Sequence, residues 1–260
     1  MTNSTDQIDS SSLADYRHQT VGAGTASRIR LRRGVVVGVI AGAVMLAVGV
    51  ASWLLLGSHQ APAPLALSTP SAGSSQSSLV GTWKVGTGSE AGYRVKEKLI
   101  NQPAITEAVA RTSKITGSMS VMSRGSELIA TNVNFKADLT ALVSQDKYAN
   151  YQVYQRDVFV RNIYLETDRF PTADFTASSV NVPSIPSGSI PLSVNGKLKV
   201  HGFTKPVLAQ VQVQLSGNQL EIAGSINVDM RDFAIAPPDI SFTTAEPQAV
   251  IEFRLLLDRA

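Results

Sequence analysis

Apolar and polar residues alternate along three runs in the second half of the chain. Apolar residues or glycine take every second position of 192–200, 207–215 and 220–228, and the positions between them are polar apart from Leu208 and Ala223. Short segments rich in Gly, Pro and Asn, at 201–206 and 216–218, separate these runs. A period of two interrupted by short turns is typical of antiparallel strands in a meander with one buried face.

The same pattern predicts most of the remaining elements. It recurs at 129–137, and we expect further strands at 80–85, 92–99, 114–121, 174–180 and 249–257. Between 144 and 165 a spacing near 3.6 replaces it, which predicts one helix at about 146–160. We expect an all-β fold, an antiparallel barrel of about eight strands with one short helix, because closure removes the exposed edges of a sheet.

A long uncharged run lies upstream of this region. Residues 35–56 contain no charged side chain, and at about 1.5 Å per residue they span roughly 33 Å, enough for a hydrocarbon core of about 30 Å. The alternative is a cleaved signal peptide, but its apolar part is usually about 7–15 residues long and follows a short leader. The run therefore predicts a single transmembrane helix.

The flanks of this run predict its orientation. Four arginines precede it, at positions 28, 30, 32 and 33, and no charged residue follows it before Lys84. The positive-inside rule then places the N-terminus in the cytoplasm and the C-terminal domain outside it, on a single-pass protein of the cell membrane.

Composition divides the rest of the chain. Residues 1–34 lack apolar periodicity and predict a disordered cytoplasmic tail. Residues 57–78 are rich in Pro, Ser and Ala and predict a linker that spans on the order of 25 Å, which leaves 79–260 for the barrel domain. Gly34, Gly38 and Gly42 share one face of the predicted membrane helix. They suit a homodimer contact, or they reflect the general abundance of small residues in membrane helices.

Charge and rare residues exclude several classes of function. The chain is 43% hydrophobic and 17% charged, and its net charge of +3 leaves no basic stripe for nucleic acid. The absence of cysteine excludes a disulfide framework, a thiolate metal site and a cysteine nucleophile. The three histidines are scattered, which argues against a zinc site. We expect no metal, no cofactor and no nucleic-acid partner.

Catalytic motifs are equally missing from the sequence. It has no nucleophile elbow, phosphate loop or zinc-protease motif. His201, the one histidine of 79–260, is expected in a turn exposed to water. The carboxylates at 157, 166, 168 and 174 lie among arginines, and ion pairing explains them. We expect a binding protein rather than an enzyme.

Aromatic residues concentrate between 135 and 175. An eight-stranded barrel is just wide enough to be filled by side chains or to hold one elongated ligand. The aromatic group fits either a packed core between helix and sheet or the lining of an apolar pocket capped by the helix. It consists of Phe135, Tyr148, Tyr151, Tyr154, Phe159, Tyr164, Phe170 and Phe175.

Four motifs occur in order over 79–257. They are Gly81-Thr82-Trp83, Arg156-Asp157 with Arg161 and Phe170-Pro171-x-x-x-Phe175, the segment VNGKLKVHGFTKPV at 194–207, and Ile226-x-x-x-x-Arg231-Asp232-Phe233-x-Ile235. Together they resemble the motifs of YceI-like proteins, which have an opening strand, an Arg-Asp helix followed by an aromatic-Pro-x-x-x-Phe strand start, a hairpin, and a late strand that ends in Asp-Phe.

The resemblance implies a lipocalin-like barrel with an elongated apolar cavity that binds polyisoprenoid lipids or quinones outside the cytoplasmic membrane. Two departures lie near the expected mouth: Ala91-Gly92-Tyr93-Arg94 stands where the family usually has a His-Ser pair, and Phe159 replaces a histidine.

We therefore expect a polyprenyl or prenylquinone ligand, held for carriage or storage, with Arg156 or Arg161 at its phosphate or quinone head. The alternative is a ligand-free interaction module at the cell surface. The predicted ligand-binding residues are Tyr93, Phe135, Tyr154, Arg156, Phe159, Arg161 and Phe175.

Overall fold

The structure is a computed structural model that describes residues 61–69, 79–100, 104–147, 153–183 and 188–260. All of them belong to one compact unit, Gly57–Ala260. The predicted tail, the predicted membrane helix at 35–56 and its glycines lie outside the described residues. In the part of the chain that is described, no helix is long and apolar enough to cross a membrane.

The described residues form one antiparallel sheet and one short helix. The helix α1 (Val153–Phe159) continues into a π-helical turn, Val160–Tyr164. The strands are β1 (Gly81–Val85), β2 (Glu90–Leu99), β3 (Thr106–Thr112), β4 (Ile115–Arg124), β5 (Glu127–Asp138), β6 (Val143–Ser144), β7 (Thr172–Val182), β8 (Ser189–Val200), β9 (Phe203–Ser216), β10 (Gln219–Asp229), β11 (Asp239–Ile240) and β12 (Thr243–Arg259).

The sheet closes on itself through β12, which pairs with β10 on one side and with β1 and β2 on the other. The segments β1 and β2 share one barrel position, as do β3 and β4, and β5 and β6. With β7, β8, β9, β10 and β12 they give eight positions in chain order, to which β11 adds a short pairing on β12. The predicted antiparallel barrel of eight strands with one short helix is confirmed.

Two of the hairpins follow the predicted pattern. The strands β8, β9 and β10 contain all three alternating runs of the sequence. The turn between β8 and β9 is shorter than the six residues predicted, because His201 and Gly202 both have positive φ (50° and 79°). Two such residues form the tight loop that matches the twist of a hairpin, so β9 begins at Phe203.

The alternation predicted for 129–137 breaks in the middle of β5. Asn132 has φ 52°, and the register between β4 and β5 shifts by one residue at this point. Ala130 therefore joins Val133 on the inner face, where both line the interior, in place of Ile129 and Thr131. A bulge of this kind changes which side chains face inward.

The strand β3 is absent from the prediction because its residues do not alternate. Ala108, Val109 and Ala110 are all buried. The segment that follows β6 bonds the backbone of Val109: its N–H donates to Asp146, and its carbonyl accepts from the N–H of Gln145. A strand covered on both faces lacks the polar positions that give a period of two.

Residues 61–69, which lie inside the predicted linker and are named the strap here, contact the outer wall of the barrel. Arg94 and Arg111 donate to the carbonyl oxygens of Pro62 and Ala63. The N–H of Leu65 donates to Glu252 at 3.1 Å. Further along the strap, Ser68 makes three more contacts. Its N–H and hydroxyl donate to Glu221 at 2.9 and 2.6 Å, and its carbonyl accepts from Gln214 at 3.0 Å.

These contacts bury charged groups that point outward from the barrel. Arg94, Glu221 and Glu252 are only 6%, 2% and 2% exposed. Each is paired, since Arg94 and Arg111 both donate to Glu252 at 2.8 Å and Arg254 pairs with Glu221. Buried charges are tolerated only when such partners are present. The strap is therefore part of the folded domain.

The Glu221 carboxyl makes stability depend on pH. Its burial opposes ionisation, but hydrogen bonds from Ser68, Arg254 and Gln214 hold its pKa below the usual value. Because the pKa is lower in the folded state, the stabilisation is present above the unfolded-state pKa of about 4.3 and is lost as the pH falls through the folded-state value.

We therefore expect Glu221→Gln to lose less free energy of unfolding than the unchanged protein when the pH is lowered from about 6 to about 3. Urea denaturation followed by circular dichroism measures this. Glu127→Gln alters an exposed carboxylate in β5 and should keep the original pH dependence. Equal slopes in all three proteins would contradict the prediction.

Candidate functional site

The barrel encloses two neighbouring chambers. Chamber A lies beside α1 and has a volume of about 190 Å³, and chamber B lies toward the other end of the barrel with about 140 Å³. Ala91, Ala137, Ala173 and Ile251 line both chambers, and Ala137 and Ala173 are directly paired across β5 and β7. We call these four residues the waist. Because three of them are alanines, little side-chain volume separates the chambers.

Chamber B is apolar throughout. It is built from the inward side chains of β4, β5, β7, β8, β9, β10 and β12, and of the described residues that line it only Lys136 is charged. The lining includes Met119, Val133, Phe135, Phe175, Val180, Val182, Leu192, Val194, Val211, Val213, Leu220 and Leu255. Such a surface is suited to a hydrocarbon chain and offers almost no hydrogen bonds to a polar ligand.

Chamber A combines an apolar wall with polar groups. Tyr93 and Glu97 reach it from β2, and Arg156 reaches it from α1. At its border Phe159 and Phe242 are 45% and 41% exposed, so large apolar side chains meet solvent there. Chamber A is therefore the end of the cavity that has polar groups and an accessible apolar rim.

The polar groups of chamber A form a buried ion cluster around Arg156. Its guanidinium donates to Asp146, to Glu97 at 3.1 Å and to the hydroxyl of Ser144 at 2.7 Å. The hydroxyl and N–H of Ser144 in turn donate to Asp157. All three carboxylates are buried. The guanidinium is thus held by protein acceptors, and among the described residues the cluster has three carboxylates and one arginine.

Burial and charge act on two ionisable groups here. Burial lowers the pKa of Arg156, but the hydrogen bond and charge of Asp146 and the charge of Glu97 outweigh it and raise that pKa above its usual value. Burial raises the pKa of Tyr93 well above the ordinary value for tyrosine. At neutral pH the tyrosine hydroxyl keeps its proton, and it remains a hydrogen-bond donor in chamber A.

The structure divides the predicted site residues between the chambers. Tyr93, Arg156 and Phe159 line chamber A, and Phe135 and Phe175 line chamber B. The two phenylalanines are directly paired across β5 and β7, on the inner face as the alternation predicts.

Two predicted residues are not among these lining groups. Arg161 is half-buried and donates to the carbonyl of Leu142 at 2.6 Å. Tyr154 belongs to α1, but its side chain is not among those that the structure describes. Tyr148 and Tyr151 lie outside the described residues.

Several residues of chamber A were missed in the sequence. Glu97 follows the alternation of Val95 and Leu99, so an acidic residue on the apolar face of a predicted strand was the available signal. Phe233 ends a short 3-10 helix (Met230–Phe233) after β10, and Phe242 lies in the turn after β11. Neither segment is long enough for a period to indicate the direction of a side chain.

The expectation that His201 is exposed is wrong. The residue is 9% exposed, because its ring packs edge-on against Phe170 at a centroid distance of 4.8 Å and its Nδ1 lies 3.0 Å from the carbonyl oxygen of Phe233. His201 thus fixes the β8–β9 turn against the segment that borders chamber A.

Removal of the Arg156 guanidinium should destabilise the protein. We expect Arg156→Ala to cost about 3–5 kcal/mol of unfolding free energy, because it removes the charged hydrogen bonds that the guanidinium donates to the buried carboxylates of Asp146 and Glu97.

Urea denaturation at neutral pH measures this loss. Arg169→Ala removes an exposed arginine paired with Glu166 and should change stability by no more than about 1 kcal/mol. If Arg156→Ala is as mild as this control, the cluster does not have the structural role assigned to it.

A hollow, eight-stranded antiparallel barrel with an apolar interior defines a lipocalin-like class of fold. The model of the YceI-like domain matches residues 86–255 of this chain. The chain therefore belongs to the YceI-like family, as the resemblance of its motifs indicated.

Several solved structures are similar to this chain. A polyisoprenoid binding domain from Saccharophagus degradans, implicated in plant cell wall breakdown, is 16% identical with a TM-score of 0.51, over 70% of this chain and 99% of that one. BcnA of Burkholderia cenocepacia is 17% identical with a TM-score of 0.43, over 64% and 95% of the two chains. The Campylobacter jejuni YCEI protein is 11% identical with a TM-score of 0.35, over 60% and 89%. No curated protein matches the chain.

Proposed function

We propose that the barrel binds one long isoprenoid lipid, with its head in chamber A and its tail through the waist into chamber B. The observation that carries this proposal is the apolar interior of the barrel. Its two chambers meet at the waist, where Ala91, Ala137, Ala173 and Ile251 line both of them. Transfer of a chain from water into such a lining is favourable by about 0.8 kcal/mol for each buried CH₂. The similar fold of a polyisoprenoid binding domain supports the same ligand class.

The head group that fits chamber A is uncharged. The arginine of the cluster already donates to Asp146, Glu97 and Ser144, and the excess of carboxylates repels a phosphate. A quinone or alcohol oxygen instead finds a protonated Tyr93 hydroxyl as a donor. A prenylquinone or an unphosphorylated polyprenol is therefore the ligand we propose.

We further propose that the protein is anchored in the cell membrane by 35–56, with the barrel on the extracytoplasmic side, where it carries or stores this lipid. The uncharged run and the arginines that precede it support this topology. The exposed apolar side chains at chamber A, including Phe159, Ile240 and Phe242, suit contact with a lipid surface, since patches of this kind mark interaction sites.

A wider side chain at the waist should block loading. Ala173→Phe adds a ring between the chambers and should lower lipid content at least about tenfold, which is about 1.4 kcal/mol. Thr176→Phe places the same ring on the outer face of β7 and serves as the matched control.

Mass spectrometry of organic extracts from the purified full-length proteins measures moles of lipid per mole of barrel. We expect about one in the unchanged protein and in Thr176→Phe. Normal lipid content in Ala173→Phe would show that the lipid chain does not pass through the waist. An unchanged protein that is purified without lipid and takes up no added prenylquinone would overturn the proposed function.

The topology is tested by a reporter enzyme fused after Ala260 that is active only outside the cytoplasm. We expect activity from the full-length fusion, since the arginines precede the uncharged run. The same fusion without 35–56 should be inactive. Activity of a reporter that works only in the cytoplasm would reverse the proposed orientation.

A further inference from the structure

One seam of the barrel wall is paired over only a short distance. Among the described residues, β7 and β8 pair at three positions, from Asp174↔Lys199 to Thr176↔Lys197. By contrast β8 pairs with β9 along all twelve of its residues, and β7 pairs with β5 from Thr172 to Val182. The rest of β7 and the start of β8 thus have a partner on one side only, next to chamber B.

The local structure explains why the two strands separate. At the paired end they approach closely, and a Cβ on Gly196 would lie 2.4 Å from the Phe175 ring. Beyond it Ser178 and Ser179 are both exposed, so the alternation of β7 skips a residue opposite the bulge at Asn132. Bulges bend strands. Pro191 lies in the one-sided part of β8, as expected for a residue confined to edges.

The separated stretches border the interior directly. Val180 and Val182 from β7, and Leu192 and Val194 from β8, all line chamber B. We call the part of the wall between 178–182 and 189–195 the side opening. Chamber B is therefore bounded here by two strands that are not hydrogen-bonded to each other.

The outer surface around the side opening lacks charge. The described outward side chains on its two edges are all uncharged, whereas the paired end of the same seam has Asp174, Lys197 and Lys199. The uncharged residues are Ser178, Ser179, Asn181, Ser189, Pro191, Ser193 and Asn195. On other strands the strap covers the charged groups Arg94, Glu221 and Glu252. An apolar chain that crosses the side opening therefore desolvates no ion.

We propose that the side opening is the exit through which the distal end of an isoprenoid tail longer than the cavity leaves the barrel. This inference rests on the proposed function, since it needs a tail in chamber B. With such an exit, the barrel selects its ligand by the head group in chamber A, and the length of the isoprenoid tail has no fixed upper limit. Short prenyl chains stay inside, and long ones emerge between β7 and β8.

The existence of the opening is tested without ligand. The chain has no cysteine, so one introduced thiol reports on one position. Val180→Cys places it at the side opening, and Val213→Cys places it in chamber B on β9, next to the paired β9–β10 seam. In the full-length protein in detergent we expect Val180→Cys to react with a maleimide at least about tenfold faster. Equal rates would overturn the opening.

The path of the tail is tested with an environment-sensitive fluorophore on the outer surface. Ser193→Cys places it on the edge of the side opening, and Gln212→Cys places it on the neighbouring β9; both positions are exposed and uncharged. The probes are farnesol, a short prenyl alcohol, and solanesol, a long one, with binding of each confirmed by mass spectrometry. We expect solanesol to shift the emission to the blue at Ser193→Cys and not at Gln212→Cys, and farnesol to shift neither.

The outcomes separate this inference from the proposed function. Solanesol bound at about one per barrel without a shift at Ser193→Cys, or with equal shifts at both positions, would overturn the exit and leave the proposed function intact. If neither alcohol binds the unchanged protein, the proposed function fails and the exit fails with it.

Discussion

Every feature of the interior depends on the double pairing of β12. This seventeen-residue strand hydrogen-bonds to β10 along one edge and to β2 and β1 along the other, so the first and last barrel positions meet and the sheet has no free end. Closure fixes which side chains point inward, because neighbouring strands in an antiparallel ladder share their faces. The chambers, the waist and the buried cluster all follow from that constraint.

The interior is polarised along the barrel axis. The carboxylates of the buried cluster, Arg156 and Tyr93 lie at the helix end. Of the described residues that line chamber B, only Lys136 is charged. The cost of burying ions confines them to the one place where α1 and the segment after β6 supply partners. The interior thus has one polar end and one apolar end, and the buried cluster at the polar end also belongs to the structure of the fold.

The outer wall is divided as clearly as the interior. On β2, β3, β10 and β12 a network of arginines and glutamates is buried beneath the strap, whose backbone supplies hydrogen bonds that water provides elsewhere. Across the barrel, the separated stretches of β7 and β8 have short uncharged outward side chains, whereas the paired end of the same seam has Asp174, Lys197 and Lys199. The separated part of the seam thus differs in charge both from its paired end and from the wall beneath the strap.

Local periodicity was enough to predict the barrel and much of its lining. The alternation along β8, β9 and β10 and the facing pair Phe135 and Phe175 follow from a period of two, which each strand shows by itself. The ordered motifs likewise indicated the family. The same alternation places Glu97 on the inner face of β2. That a carboxylate is tolerated there depends on its ion pair with Arg156, which is distant in sequence.

Tertiary structure alone decided the rest. Three features arise from partners that are far away in the chain: the bulge at Asn132, the burial of β3 and the docking of the strap. A short stretch of sequence does not contain these partners. The same holds for the division of the cavity by alanines of different strands and for the short β7–β8 pairing. The sequence determined the direction of each side chain on its own strand, whereas the packing of strands against one another determined which neighbours those side chains meet.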